Sequence, residues 1–257
     1  MGMSFLEAAG WDTVDVTRAK GRGPFVLLCE HAGLTIPEDL AELGLKEPAR
    51  SSHAAWDIGA RDLAEGMAKE LDAPLIAGRL SRLVYDLNRP LEAPDCIPAQ
   101  SERFAVPGNA GLSDSEKRAR FEAVHEPFHA AVSAVLDARE TAALVTVHSF
   151  TPVYMGVPRD VELGFLHHAD SRLAEAALRV ERTCGSYRAA INEPYDASDG
   201  VTYSLRKHGE ARGLPSVMIE VRNDLVDTPA KAQAMAVHLS ATLKAALAAI
   251  SPAEAAL

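Results

Sequence analysis

Two short runs of aliphatic and β-branched residues in this chain end in histidine: residues 24–33 read Pro-Phe-Val-Leu-Leu-Cys-Glu-His-Ala-Gly, and residues 144–150 read Leu-Val-Thr-Val-His-Ser-Phe. An unbroken apolar run bounded by Gly23-Pro24 and Gly33 predicts a strand covered on both faces, as in a parallel sheet. Polar groups at the carboxyl ends of such strands stand where open α/β sheets collect ligands. His31 and His148, delivered to one sheet edge, can build a divalent-metal site from distant sequence. The same two residues also suit a plainer role, capping their strands by hydrogen bonds to backbone.

A third candidate ligand comes from a helix. Ala60, Leu63, Ala64, Met67 and Leu71 follow the three-four spacing of a buried stripe, and Asp57 continues it one turn toward the amino end. A carboxylate on a core-facing side needs a partner. Helix capping and metal ligation both answer that need. His53, four residues earlier, is a rival ligand on the same face. Zinc in hydrolases is commonly held by three such side chains, with the fourth position left to water.

Glu220 and Arg222 share a face of the strand expected over 214–222. They read either as a buried ion pair or as a general base beside a cation. In residues 81–90, Ser-Arg-Leu-Val-Tyr-Asp-Leu-Asn-Arg-Pro, period-two alternation predicts a strand with Arg82, Asp86 and Asn88 on one face. Arg82 with Asn88 and Arg89 suits the gripping of a carboxylate, since a guanidinium fork matches two oxygens. His125-Glu126-Pro127-Phe128-His129 formally matches HExxH. Pro127 breaks the helical turn that motif needs, which leaves His129 as the histidine that could face a neighbouring site.

The elements that must position these groups follow from pattern. Besides the strands at 24–33, 144–150 and 214–222, strands are predicted at 73–78, 161–167 and 187–191. Helices are predicted at 36–44, from Asp57 to Leu71, from Ser113 to about 139 behind a capping box, at 171–182, and from Pro229 to about 250. Residues 91–111 carry prolines and glycines without periodicity and predict a loop forming a lid or one rim of a pocket. The polar stretch 195–203 is a candidate substrate-contacting loop. Alternating strands and helices predict an α/β fold: a single domain with a mostly parallel central sheet and helices on both faces. Residues 1–20 read as an amino-terminal extension of that domain, which spans 1–257.

Composition narrows the function classes. With 257 residues, 47% apolar and 24% charged, the chain is an ordinary globular one. A net charge of −10 argues against nucleic-acid binding. No signal peptide and no stretch of membrane-spanning length is expected, so the reading is cytoplasmic. The three cysteines share no CxxC spacing, so any metal falls to histidine and carboxylate. No GxGxxG or P-loop follows a strand, which disfavours a nucleotide cofactor.

Taken as an ordered series, Cys29-Glu30-His31-Ala32-Gly33 with Ile36-Pro37, Asp57-Ile58-Gly59-Ala60, the 81–89 block, Pro127-Phe128-His129, Val147-His148-Ser149-Phe150-Thr151-Pro152 and Ile219-Glu220-Val221-Arg222 resemble the N-formylglutamate amidohydrolase family. Its members are similar in fold to zinc carboxypeptidases and aspartoacylase-type enzymes, a phosphorylase/hydrolase-like architecture. The resemblance implies one zinc per chain on His31, Asp57 and His148, with Glu220 as proton shuttle and Arg82, Asn88 and Arg89 around substrate carboxylates. It implies hydrolysis of N-formyl or other small N-acyl amino acids, such as N-formyl-L-glutamate, as in histidine degradation and amino-acid metabolism. The expected partner is that small molecule alone, bound by a monomer or homodimer. Better-known members carry Pro-His-Gly-Gly where this chain has Glu30-His31-Ala32-Gly33, which marks a divergent branch. Alternation along the strand turns Glu30 away from His31, toward another neighbour. A zinc carboxypeptidase-like peptidase and a non-catalytic anion-binding module are the competing functions.

Overall fold

The computed structural model describes residues 13–139 and 142–251. Seven strands form one sheet: β1 (Val14–Thr17), β2 (Phe25–Cys29), β3 (Leu75–Gly78), β4 (Ala143–Phe150), β5 (Leu163–Leu166), β6 (Ala189–Ile191) and β7 (Ser216–Arg222). Their spatial order is β1, β3, β2, β4, β7, β5, β6. The central four run parallel; β1 lies antiparallel on β3, β5 antiparallel on β7, and β6 parallel to β5. This is the mostly parallel sheet expected from the apolar runs. Of the amino-terminal extension, β1 is an edge strand, and residues 1–12 lie outside the described residues.

Helices cover both faces. On one side lie α1 (Ala60–Glu70), α4 (Arg172–Cys184) and α5 (Pro229–Ile250). They pack Leu63, Met67, Leu173, Leu239 and Leu243 onto Phe25, Leu27, Val145, Val147 and Ile219. On the other, α3 (Glu126–Asp137) packs Phe128, Val132 and Leu136 onto Val26, Leu28, Ile76, Leu144 and Met218. Alternation along β4 and β7 then fixes the site: Leu144, Thr146 and His148, with Met218 and Glu220, share the α3 face. Past the last core residue, that face turns polar.

Helix boundaries follow local chemistry. The helix α2 (Asp114–Arg120) starts from the Ser113–Glu116 capping box, and α5 starts at Pro229 with the Thr228 hydroxyl accepting from the Lys231 amide. Between α2 and α3, residues Phe121–His125 form a π turn, which places Pro127 in the first turn of α3, where its missing N–H leaves no bond unmade. Helix α5 is long and apolar enough to cross a membrane by length and composition, contrary to expectation, yet Met235, Ala236, Leu239, Leu243 and Ala246 are buried in the core where it packs on α1 and α4.

Three expectations need correction. Residues 81–90 form turns, not a strand: Arg82 N–H bonds to Ala55 O, Asp86 N–H to Cys96 O and Arg89 N–H to Asp86 O. The polar alternation there is a spacing of four, which brings Arg82 and Asp86 together across a turn. Residues 36–44 are no regular helix, because Ala41, Glu42 and Leu43 adopt left-handed backbone as the segment packs against Pro107–Asn109, with Leu43 fully buried. Finally, Asp57 is not on α1. Gly59, with φ +78° and a Cα so close to Val226 that a Cβ would lie 2.1 Å from its carbonyl oxygen, caps the helix so that it begins at Ala60, three positions after Asp57.

Candidate metal centre and active site

His31 lies two residues beyond β2, Asp57 in the turn before α1, and His148 near the carboxyl end of β4. Backbone and side-chain bonds tie these three places together. Asp57 N–H donates to His31 O at 3.0 Å, and the Ser149 hydroxyl donates to Ile58 O at 2.7 Å. The side chains converge: His148 Nδ1 is 2.9 Å from Asp57 Oδ2, His31 Nδ1 is 3.3 Å from the same oxygen, and the two Nδ1 atoms are 3.2 Å apart. All three residues are buried, and these atoms form a potential metal-ligating group. Ligands at zinc-like bond lengths in tetrahedral geometry stand about 3.3 Å apart, so the spacing fits one small divalent cation.

Each imidazole is fixed from behind. His31 Nε2 is 2.8 Å from Asp86 Oδ1, so this nitrogen carries the proton and Nδ1 is left as the ligand atom. His148 Nε2 is 3.1 Å from Glu30 Oε2, a contact between two buried side chains. Glu30 therefore turns from His31 and backs the second histidine. Asp86 also accepts from both ends of the Arg82 guanidinium, which reaches Asp57 Oδ1 at 3.5 Å.

The electrostatics follow from this packing. Burial and Arg82 oppose a charge on His31, but Asp86 and Asp57 hold its pKa above the ordinary value. Burial likewise opposes His148, and Glu30 and Asp57 outweigh it, holding its pKa well above the usual range. Against burial, Asp57 is lowered by His31 and His148, and Asp86 well below its range by Arg82 and His31. Glu220 behaves differently. It stands opposite His148 in the parallel register and opposite Gly164 on its other side, with buried Oε2 finding no hydrogen-bond partner among the described residues. Burial, with Asp57 adding to it and His148 opposing, pushes its pKa up to about 7.

Arg222 does not pair with Glu220; it bonds Asp224 at 2.8 Å and reaches Glu162 at 3.5 Å. Of the other expected site residues, Asn88 donates its amide to Val201 O and accepts from Ser204 N–H at 3.0 Å, so it holds the 195–204 segment. Arg89 bonds Asp95 at 2.8 Å. His53 is not among the ligands: it meets Glu102 at 2.9 Å. His129 also lies outside the ligand group. It donates from Nε2 to Leu87 O at 2.9 Å and accepts at Nδ1 from His208 at 2.7 Å, while burial lowers its pKa to about 4. The HExxH-like segment is thus structural.

A cavity of about 310 Å³ opens on the group, lined by His31, Asp57, Arg82, Arg89, Tyr195 and Glu220 among others. Part of the 91–111 loop forms its rim through Asp95, Pro98 and the hairpin containing Gln100, Ser101 and Glu102. Sequence reasoning missed Asp86 as a second support, because the 81–90 segment reads as a strand; the Arg82–Asp86 spacing and Pro90 were the signals for a turn.

A family model described as N-formylglutamate amidohydrolase matches residues 23–226. Among solved structures, a gene product of Agrobacterium tumefaciens is similar at 43% identity, covering 95% of this chain and 98% of that one, with a TM-score of 0.92. An N-formylglutamate amidohydrolase from Ralstonia eutropha JMP134 is similar in fold at 20% identity, covering 92% of this chain and 97% of that one, with a TM-score of 0.64. No curated protein matches the chain. With the ordered blocks, the sheet and the converging histidines in place, the match over residues 23–226 assigns this chain to the N-formylglutamate amidohydrolase family, a family of amide-hydrolysing enzymes.

Proposed function

We propose that the protein is a zinc-dependent amidohydrolase that removes a formyl or other small acyl group from the nitrogen of an acidic amino acid, N-formyl-L-glutamate being the model substrate. The observation that carries this reading is the convergence of His31 Nδ1, Asp57 Oδ2 and His148 Nδ1 within 3.3 Å of one another, with the unpartnered Glu220 carboxyl on the neighbouring strand. A zinc ion held by these three, one per chain, would supply Lewis-acid activation of a water and of the amide carbonyl.

Glu220 is the proton shuttle. Its carboxylate takes a proton from the attacking water, the oxygen forms a bond to the acyl carbon, and the same proton passes to the nitrogen as the C–N bond breaks. The new acid gives up its remaining proton to the freed amine, so the products are a carboxylate, formate for a formyl group, and the free amino acid with its amine protonated. The Glu220 carboxyl, buried on the strand beside His148 and with Oε2 free of other hydrogen-bond partners among the described residues, is placed to take that proton and return it. Asp86 and Glu30 hold the imidazoles in ligating orientation, and Arg82 offsets the charge of Asp57 and Asp86. Arg89, whose Nε faces Asp95, offers the remaining guanidinium edge to a substrate carboxylate. Asn88 contributes by securing the 195–204 segment over the cavity.

The cavity volume of about 310 Å³ favours a small acyl amino acid over an extended peptide. The test is turnover of N-formyl-, N-acetyl- and longer N-acyl-L-glutamate and -aspartate beside dipeptides, before and after metal removal by chelation and re-addition of zinc. Turnover of N-acyl amino acids that is lost with the metal and restored by it is the expected result. Undiminished hydrolysis by fully metal-free protein refutes the mechanism, and preference for peptides refutes the substrate class.

A further inference from the structure

One polar group on the cavity wall has no part in the scheme above. Tyr195 lines the cavity together with Arg82, His148 and Glu220. Its hydroxyl oxygen accepts a hydrogen bond from Arg159 Nη1 at 3.1 Å. A phenol oxygen that accepts from a guanidinium has its own proton free to donate. Among the described residues, the Tyr195 hydroxyl donates no hydrogen bond of its own.

The supporting arginine is itself held rigidly. The Arg159 guanidinium lies 4.7 Å from the Tyr154 ring centre, 4.8 Å from that of Tyr195 and 5.5 Å from that of Phe150. The Arg159 backbone N–H donates to Pro152 O, and the Arg159 backbone carbonyl accepts from the Arg222 guanidinium. Among the described residues no carboxylate forms an ion pair with the Arg159 guanidinium, in contrast to Arg82 and Arg89, which meet Asp86 and Asp95. The loop bearing Tyr195 is fixed by the Asp196–Asp199 capping box and by Asn88.

We infer that Tyr195 is a catalytic residue of the amide hydrolysis proposed above: its hydroxyl donates a hydrogen bond to the scissile carbonyl oxygen as negative charge builds there, and Arg159 is the positioning residue that aims and polarises it. The inference rests on the proposed reaction. Burial, then the nearby Glu220 charge, pushes the Tyr195 pKa up to about 12, so the donor proton is present at any working pH. The oxygen is stabilised without proton transfer, and Glu220 alone exchanges protons. Donors fixed in advance on a developing oxyanion are worth about 10²- to 10³-fold in rate where they have been removed singly.

The test compares wild type, Tyr195→Phe and Arg159→Met, all zinc-loaded and matched for metal content and melting temperature. Turnover is measured on N-formyl- and N-acetyl-L-glutamate. Binding is measured by calorimetry with two probes: N-methylphosphonyl-L-glutamate, whose tetrahedral phosphorus mimics the attacked carbon, and the product L-glutamate. Tyr195→Phe should lower kcat roughly 10²-fold with KM little changed, and weaken the phosphonyl probe far more than L-glutamate. Arg159→Met should move the same quantities in the same direction by less. A kcat within twofold of wild type in Tyr195→Phe overturns the inference. So does a raised KM with kcat intact, because the hydroxyl would then grip substrate rather than the developing charge. Wild-type protein that binds the phosphonyl probe but hydrolyses no N-acyl amino acid sinks the proposed function, while the affinity ratio between wild type and Tyr195→Phe still decides the tyrosine. Binding of neither probe by wild type ends both.

Discussion

Replacing Glu220 by Gln separates a buried base from a buried structural partner. A structural partner contributes to stability, and its loss leaves a cation unpaired. Glu220 has no such cation: Arg222 is committed to Asp224 and Glu162, and Glu220 Oε2 is without a hydrogen-bond partner among the described residues. Its carboxyl, moved from 4.5 to about 7 by burial, keeps a proton that the unfolded chain releases. Between those two values folding therefore becomes less favourable as pH rises, and above 7 the penalty is complete, about 3 kcal/mol. The isosteric amide removes that penalty and costs about 1 kcal/mol for its own imperfect bonding. Chelated Glu220→Gln protein should thus be more stable than chelated wild type by about 2 kcal/mol at pH 8, roughly 4–8 °C in melting temperature for a chain of this size. The difference should shrink by more than half by pH 5.5. Hydrolysis should fall by at least 10²-fold in the same protein, with zinc content unchanged. Calorimetric melting of both proteins at the two pH values, with metal analysis and a turnover assay, gives every quantity. A Glu220→Gln protein less stable than wild type at pH 8, or one that keeps its turnover, refutes the reasoning.

Three further perturbations have definite outcomes. His31→Ala, Asp57→Ala and His148→Ala should each lower bound zinc well below one per chain in plasma emission analysis, and a full equivalent retained by two of them would break the ligand set. Asp86→Asn and Glu30→Gln leave every ligand in place but loosen the imidazoles, so zinc affinity should fall 10- to 100-fold in chelator competition. Asn88→Ala strands the Val201 carbonyl and the Ser204 amide, which should cost about 1–3 kcal/mol and speed proteolytic nicking between residues 195 and 204.

The sheet was legible because its central strands are buried on both faces and read as unbroken apolar runs, so Ala143–Phe150 emerges within a residue of expectation, while β2 ends at Cys29, short of the Gly33 that bounds the expected strand. His31, His148 and Glu220 followed from their place at the ends of those runs. Asp57 was found for a mistaken reason, since the helical stripe stops at Ala60 and the aspartate is carried by the turn that Gly59 allows. The polar segments were less legible. In residues 81–90 the alternation of side chains has the same signature in a strand and in successive turns, and only the hydrogen bonds to Ala55 and Cys96 distinguish them. Asp86 and Glu30 act through space on imidazoles 55 and 118 residues away, a relation that local pattern does not encode. Tyr195 lay inside a loop marked for substrate contact, but its meaning depends on Arg159, brought to it by a separate turn.

The charge of the buried site explains why it suits a cation. Glu30, Asp57, Asp86 and Glu220 place four carboxyl groups around His31 and His148, all buried, and Arg82 is the nearby permanent positive charge. Burying carboxylates without compensation is costly, so a metal-free protein must gather protons on the histidines and on Glu220, the direction in which all three are shifted. A divalent cation supplies the same positive charge without those protons, which frees the Nδ1 lone pairs as ligands and Glu220 as a base. Support and affinity thus share one cause: the acids that orient the imidazoles also create the deficit of positive charge that a bound metal would fill.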